Sequence, residues 1–151
     1  MTINVKSAAQ ISLVLAATIA FVTAIAHLSC IWLGEACYSA QMAPEVIIES
    51  AQQGTWLAPI GTVLAASIFV IIGLYNLSAA QILRPLPLYI FANYFIAAMC
   101  IIRGILPLQL WLRKPERVSE EALIAGLMWL ATGVLILSGH CEMRRQQRKA
   151  R

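Results

Sequence analysis

Residues 10–33 read QISLVLAATIAFVTAIAHLSCIWL, a stretch without Asp, Glu, Lys or Arg. A helix needs about 20 apolar residues in a row to cross the hydrocarbon core of a bilayer, and this stretch supplies them. Lys6 before it and the small residues Ala24 and Ala26 resemble parts of a secretory signal peptide, but the apolar run continues through Leu33. We therefore predict that the segment is retained as the first membrane span.

Three further apolar stretches follow, at residues 56–78, 86–108 and 122–139. Each is long enough to cross a bilayer as a helix. The connections after the second and the third stretch are short, so the spans that they join should be antiparallel neighbours. The predicted fold is all-α, an integral membrane four-helix bundle of up-down-up-down topology in a single domain of residues 1–151.

The composition favours lipid over water as the solvent of this chain. Of its 151 residues, 60% are hydrophobic and 12% are charged, whereas soluble domains carry about a quarter charged residues. The net charge is +4, but the basic residues gather in the tail 142–151, directly after the last span, where they anchor the chain against anionic headgroups. We therefore expect that the protein contacts the lipid bilayer and does not bind nucleic acid.

The first outer loop contains a predicted short helix at residues 44–53. Pro44 opens the segment and Gly54 follows it, which is the usual punctuation of a helix start and a helix end. Its apolar residues gather on one side, with glutamate and glutamine elsewhere. This pattern suits a helix that lies in the membrane interface or caps the bundle.

The distribution of Lys and Arg predicts the orientation. Lys6, Arg84 and the tail lie on one side and contribute seven basic residues, whereas the loop 113–117 on the other side contributes three. Cytoplasmic loops are richer in Lys and Arg, so we expect both termini in the cytoplasm. Three tryptophans then fall at the outer interface, where amphipathic rings prefer to lie: Trp32, Trp56 and Trp111.

A group of polar residues is predicted near the outer surface. Arg103 lies about five residues, or about 8 Å, below the outer end of the third span, and His27 lies at a similar depth in the first. Glu35 and Tyr38 follow just above the first span. One interpretation is a ligand-binding or proton-relaying pocket, since ionisable groups inside a membrane are usually functional. The other is that Arg103 extends to the headgroups and His27 hydrogen-bonds a neighbouring helix.

A second polar set is predicted at the inner ends of the second and third spans. Tyr75 and Asn76 lie on one of these spans, and Asn93 and Tyr94 lie on the other. Antiparallel neighbours place the two pairs at similar depth. Hydrogen bonding between helices is the simpler explanation, and a site is the alternative.

The four cysteines suggest no metal site, because no Cys/His spacing typical of zinc or haem occurs. If the first helix continued unbroken, Cys30 and Cys37 would lie about 10 Å apart, too far for a disulfide. A chain reversal at Gly34 would bring them together, and Cys100 could also reach Cys30. The alternatives are such a disulfide or buried free thiols. We expect no cofactor.

Several short runs resemble those of small uncharacterised bacterial four-span inner-membrane proteins. The longest is HLSCIWLGEACY at residues 27–38, and GLYNLS at 73–78 and IRGI at 102–105 add to it. The resemblance implies the four-span fold and a bacterial inner membrane, and it implies no activity.

The predicted function is that of an accessory or ligand-binding membrane protein, because no catalytic motif is present. In this hypothesis His27, Glu35, Tyr38 and Arg103 contact an amphiphile or a partner span, in a homo-oligomer or a larger membrane complex. One alternative is a small homodimeric transporter or efflux protein. The other is a thiol or quinone-linked redox protein that uses Cys30 and Cys37.

Overall fold

The computed structural model describes residues 5–149, and every regular element in this part of the chain is helical. The elements are α1 (Val5–Leu33), α2 (Glu35–Ala40), α3 (Glu45–Gln52), α4 (Leu57–Ala79), α5 (Tyr89–Arg113), a 3-10 turn (Pro115–Arg117) and α6 (Glu120–Lys149). The prediction of an all-α chain is confirmed for these residues. Among them, α1, α4, α5 and α6 are long and apolar enough to cross a membrane, which fits a multi-pass membrane protein.

Three of the long helices have bounds that differ from the sequence expectation by more than one residue, and α1 does so by starting at Val5 instead of residue 10. α5 begins at Tyr89, because two prolines in the preceding turn disfavour helix and Leu88 adopts a left-handed conformation with φ of 57°. It then continues past Pro107 to Arg113. α6 continues through the segment that we expected to be a tail, because residues 140–149 contain neither Gly nor Pro and are rich in good helix formers.

The first outer loop contains one helix more than expected. The predicted helix 44–53 corresponds to α3, with Pro44 at its N-cap. Before it, residues 35–40 form the short helix α2, which starts directly after Gly34. Gly34 has φ of 72°, a value that glycine adopts readily and other residues rarely do. This single residue separates α1 from α2 and allows the chain to change direction.

The chain forms two compact units, which we describe separately. The cap unit consists of residues 19–73, and the terminal unit consists of residues 5–18 and 74–149 of the described chain. The cap unit contains the end of α1, the helices α2 and α3, and most of α4. The terminal unit contains the start of α1, the last turns of α4, and α5 and α6.

Glycines set the helix packing of the terminal unit. A Cβ placed on Gly104 of α5 would lie 2.7 Å from the carbonyl oxygen of Gly126 on α6, and one on Gly133 of α6 would lie 3.0 Å from the carbonyl oxygen of Ala97 on α5. Residue numbers rise along one helix while they fall along the other, so α5 and α6 are antiparallel. Small residues at these crossings allow the two backbones to approach closely.

Aromatic rings set the packing of α1 against α4 within the cap unit. The ring of Phe21 occupies the space beside Gly73, where an added Cβ would lie 2.6 Å from the ring. Further along, the rings of His27 and Phe69 lie with their centroids 5.0 Å apart. These two contacts show that the α1 and α4 segments of this unit are also antiparallel.

Candidate functional site

A disulfide between Cys30 and Cys37 closes the turn from α1 to α2. The backbone N–H of Gly34 donates to the carbonyl oxygen of Cys30 at 2.9 Å and so ends α1. The positive φ of Gly34 then turns the chain, and the two cysteine Cα atoms lie 5.1 Å apart instead of the 10 Å or so of a continuous helix. Among the described residues, Cys100 is a buried free thiol and Cys141 an exposed one.

Gln41 holds the same turn through its side-chain amide. Its Nε2 donates to the carbonyl oxygen of Ala26 at 2.6 Å, and it lies 3.0 Å from Cys30 Sγ and 3.6 Å from Cys37 Sγ. The amide therefore fastens the end of α2 to the last turns of α1. It also places N–H groups beside both sulfurs of the disulfide.

Ser50 links α3 to the start of α4. Its Oγ accepts a hydrogen bond from the backbone N–H of Ala58 at 2.8 Å and lies 2.6 Å from Thr55 Oγ1. The first N–H groups of a helix have no partner within that helix, so Ser50 satisfies one of them from outside. Ser50 is buried, as is the Ala58 side chain below it.

A small apolar core lies beneath these polar contacts. The buried residues Cys30, Tyr38 and Ala58 form its centre. Partly buried side chains pack around them from α2, α3 and the loop between: Cys37, Ala43, Ile47, Ile48 and Ala51. The loop that follows α1 is therefore a folded cap with a core of its own.

Three of the four predicted outer polar residues belong to this cap unit. Tyr38 is only 5% exposed, and its hydroxyl oxygen accepts a hydrogen bond from Thr62 Oγ1 of α4 at 3.0 Å. Glu35 is exposed, and its Oε1 accepts from Gln52 Nε2 of α3 at 2.7 Å. His27 Nδ1 lies 2.9 Å from the carbonyl oxygen of Thr23, one turn earlier on α1.

The fourth residue, Arg103, lies in the terminal unit. It is on α5, one residue before the packed Gly104, and its side chain is exposed. Within the described residues, the ion pair that the structure contains is Arg145–Glu142, at 3.9 Å. The guanidinium of Arg103 is thus an exposed charge within a helix that is apolar enough to cross a membrane.

The second predicted polar set connects α4 to α5 in the terminal unit. Asn93 Nδ2 donates to the backbone oxygens of Tyr75 and Tyr89, at 3.2 and 2.7 Å, and Asn76 is fully buried. The hydroxyl of Tyr75 donates to the carbonyl oxygen of Pro87 at 3.2 Å. The bond from Asn93 to Tyr75 joins two helices, the bond from Asn93 to Tyr89 lies within α5, and the bond from Tyr75 reaches the turn.

Tyr94, the last member of that set, faces a different group. Its hydroxyl lies 3.8 Å from Cys141 Sγ on α6, and its ring packs edge-on against His140 with centroids 4.9 Å apart. His140 is 1% exposed and also contacts the ring of Tyr89 edge-on at 6.1 Å. Tyr94 therefore has a fixed position at the point where the start of α5 meets the end of α6.

Four of these contact residues were not singled out from the sequence. Gln41, Ser50, Thr62 and His140 act on partners in other elements, and Ser50 reaches an N–H eight residues away. Single Ser, Thr and Gln residues in an apolar chain give no local signal of their partners. His140 could have been singled out as an ionisable residue directly after the last predicted span.

Comparisons with protein families, with curated proteins and with solved structures found no match for this chain.

Proposed function

We propose that this protein is an accessory protein of the bacterial inner membrane whose cap unit contacts a partner membrane protein. The four long helices cross the bilayer as an up-down-up-down bundle, with both termini in the cytoplasm and the loop helices α2 and α3 on the outer side. The excess of Lys and Arg near the termini supports this orientation. The antiparallel packing of α1 with α4 in one unit and of α5 with α6 in the other supports the topology.

The observation that carries the proposal is that the polar side chains of the cap bond within the cap. Tyr38 is buried and bonded to Thr62, Glu35 is bonded to Gln52, and Cys30 is in a disulfide. These bonds use the hydroxyl of Tyr38 and one carboxylate oxygen of Glu35 within the cap unit, so we favour a partner protein over an amphiphile as the molecule that the cap contacts. We infer that these bonds and the disulfide restrict the motion of the cap, and a restricted surface loses little conformational entropy when it binds a partner.

Large apolar side chains lie exposed at the two ends of the loop that contains α2 and α3. Trp32 at the end of α1 is 81% exposed, and Trp56 just before α4 is 79% exposed. Tryptophans at a membrane interface contact headgroups, and the same side chains are enriched at protein interfaces. Leu33 and Val46 are also more than half exposed.

Arg103 supplies a second reason to expect a partner. A charged side chain that is exposed in a membrane span is costly unless a carboxylate, a carbonyl group or a headgroup compensates it. A partner span with an acidic residue at this depth would do so. In this proposal Arg103 and the cap contact the same neighbouring protein.

Site-specific photocrosslinking in native membranes tests the proposal. A benzophenone amino acid replaces Val46 on α3, and in the matched control it replaces Ile68 on α4, which is exposed to a similar extent. We expect the Val46 probe to give a discrete adduct with another membrane protein and the Ile68 probe to give lipid adducts. The adduct should disappear when Cys30 and Cys37 are both replaced by serine, because the disulfide that holds the turn from α1 to α2 is then lost.

Two substitutions test the predicted contact residues. Arg103→Ala and His27→Ala should each reduce the yield of the Val46 adduct, without lowering the amount of protein in the membrane. An unchanged yield for both variants would exclude these residues from the contact. An adduct with a second copy of this chain would favour the homodimeric transporter instead.

The position of Gln41 favours one second candidate, a thiol-disulfide exchange protein. An incoming thiolate would attack Cys37 Sγ, which is partly exposed, form a mixed disulfide with it and release Cys30 as a thiolate. The N–H group of Gln41, 3.0 Å from Cys30 Sγ, would stabilise that thiolate. The resolving thiol of the same partner dithiol would then release Cys37 as the second thiolate, leaving the partner oxidised.

Alkylation of the thiols under controlled redox potential tests this second candidate. An exchange protein should reach equilibrium with a glutathione buffer at potentials above about −300 mV, and Gln41→Leu should shift the midpoint. A disulfide that stays intact in such buffers in folded protein, with and without Gln41→Leu, is a structural one and contradicts the exchange function.

A further inference from the structure

The end of α6 carries its basic residues on one face. Arg144 and Arg145 lie three and four residues after Cys141, and Arg148 lies four and three residues after them, which is the spacing of neighbours on one side of a helix. Lys149 extends this face by one further position. The segment forms this face because it is helical, and an irregular tail would have spread the same charges around the chain.

A groove lies between this face and the start of α5. Its volume is about 450 Å³, within the range of about 300–1,000 Å³ that small-molecule sites occupy. Ile90 and Tyr94 of α5 line one side, and α6 lines the other with Cys141 and four cations, Arg144, Arg145, Arg148 and Lys149. All of these residues belong to the terminal unit.

Three of the four cations have no acidic partner within the described residues. Glu142 lies 3.9 Å from Arg145 and accepts a hydrogen bond from Gln146 at 3.0 Å, so it offsets only the charge of Arg145. Arg144, Arg148 and Lys149 remain as uncompensated positive charges on the groove. A groove with this excess charge favours a ligand with more than one negative charge.

The opposite wall gives the groove an apolar side as well. The ring of Tyr94 packs at right angles to the ring of His140, and Ile90 lies one turn before Tyr94 on α5. Phe91, which follows Ile90 in the sequence, is mostly exposed. The ligand should therefore be anionic at the end of α6 and apolar where it follows α5.

We infer that this groove binds the headgroup of a phospholipid with two phosphate groups. The cationic face extends from residue 144 to 149, about 8 Å along the helix axis, which is long enough to contact two phosphates joined by a glycerol. Basic pockets between membrane helices bind such headgroups on the cytoplasmic side. The inference requires the membrane insertion proposed above and is independent of the partner of the cap.

Lipid titration followed by native mass spectrometry tests this inference on the full-length protein in detergent. The probes are diphosphatidylglycerol, with two phosphodiesters, phosphatidylglycerol, with one, and inorganic pyrophosphate as a soluble anion. We expect one diphosphatidylglycerol bound per chain, with at least tenfold higher affinity than phosphatidylglycerol. Pyrophosphate should not displace the bound lipid at equal concentration.

Two double variants with the same loss of charge localise the site. Arg144→Gln with Arg148→Gln should weaken diphosphatidylglycerol binding about 30-fold, because each basic residue near an anionic surface contributes a factor of about five. Arg113→Gln with Lys114→Gln, at the far end of α5, should change the affinity less than threefold. Arg148→Lys keeps the charge and should retain binding.

Three results would overturn the inference. Equal weakening by both double variants would mean a diffuse attraction between the protein and anionic lipid. Equal affinity for the two lipids would mean that the groove does not recognise the second phosphate. Displacement by pyrophosphate would assign the groove to a soluble phosphate compound. Partner crosslinking from the cap is measured separately, so failure of one proposal leaves the other intact.

Discussion

Replacement of Gly104 by alanine should destabilise the protein, because no space exists for a methyl group at this position. The added Cβ would lie 2.6 Å from the Cβ and the backbone nitrogen of Leu130, and 2.7 Å from the carbonyl oxygen of Gly126. These are mostly backbone atoms of α6, which cannot rotate away. To restore an ordinary contact of 3.4 Å, the two helices would have to separate locally by about 0.8 Å, the difference between 3.4 and 2.6 Å.

The loss of stability expected for Gly104→Ala is the sum of two opposing contributions. Overpacking of a close contact costs about 1–3 kcal/mol, and a clash with backbone belongs at the upper end. Alanine regains about 1 kcal/mol over glycine in helix propensity. We expect a net loss of about 2 kcal/mol, which corresponds to a decrease in Tm of about 4–8 °C for a chain of this size.

Gly61→Ala is the matched control. Its Cβ would meet only the terminal methyl group of Ile47, at 3.3 Å, and that side chain can adjust. The gain in helix propensity should then remain, so Gly61→Ala should melt at the same temperature as the parent protein or slightly higher.

Reaction of the buried thiol of Cys100 with a fluorogenic maleimide reports unfolding in mild detergent, on a Cys141→Ser background that removes the exposed thiol. If Gly104→Ala melted at or above the temperature of the parent while Gly61→Ala behaved as expected, the close packing of α5 on α6 described here would be wrong.

Three further predictions concern the cap and the orientation. Replacing Cys30 and Cys37 by serine should lower the free energy of unfolding by about 2 kcal/mol, the value for closing so short a loop, and an unchanged melting temperature would contradict it. Ser50→Ala should cost about 1–2 kcal/mol by the same melting assay, because the N–H of Ala58 loses its acceptor; Ser67→Ala, at an exposed serine of α4, is the control. A membrane-impermeant maleimide should label Cys141 in inverted vesicles and not in intact spheroplasts, and the reverse result would invert the proposed orientation.

The long helices could be predicted from the sequence, because a long apolar stretch is a property of consecutive residues. An uncharged stretch such as residues 10–33 predicts a helix by its length and composition alone. The observed helix Val5–Leu33 ends at the predicted residue. The start of α5 was harder to predict, because Leu88 adopts a left-handed backbone conformation that is rare for leucine.

The arrangement of the outer polar residues could not be predicted from the sequence. Counting residues from the outer ends of the spans gives four residues a similar depth in the membrane, and we therefore predicted that they form a pocket: His27, Glu35, Tyr38 and Arg103. Depth contains no information on which way a side chain points, and Tyr38 points inward to Thr62. Three of the residues lie in the cap unit and Arg103 in the terminal unit, so their joint role stays a proposal.

Apolar length and charge placement by themselves determined that this chain has four long apolar helices and a basic C-terminal end, because both are properties of consecutive residues. The tertiary structure decided which cysteines pair, since the pairing depends on the reversal at Gly34. It also turned the basic end into one wall of a groove, because α6 continues as a helix beside Ile90 and Tyr94. Contacts between residues distant in sequence arise only when the chain folds, and a linear pattern does not contain them.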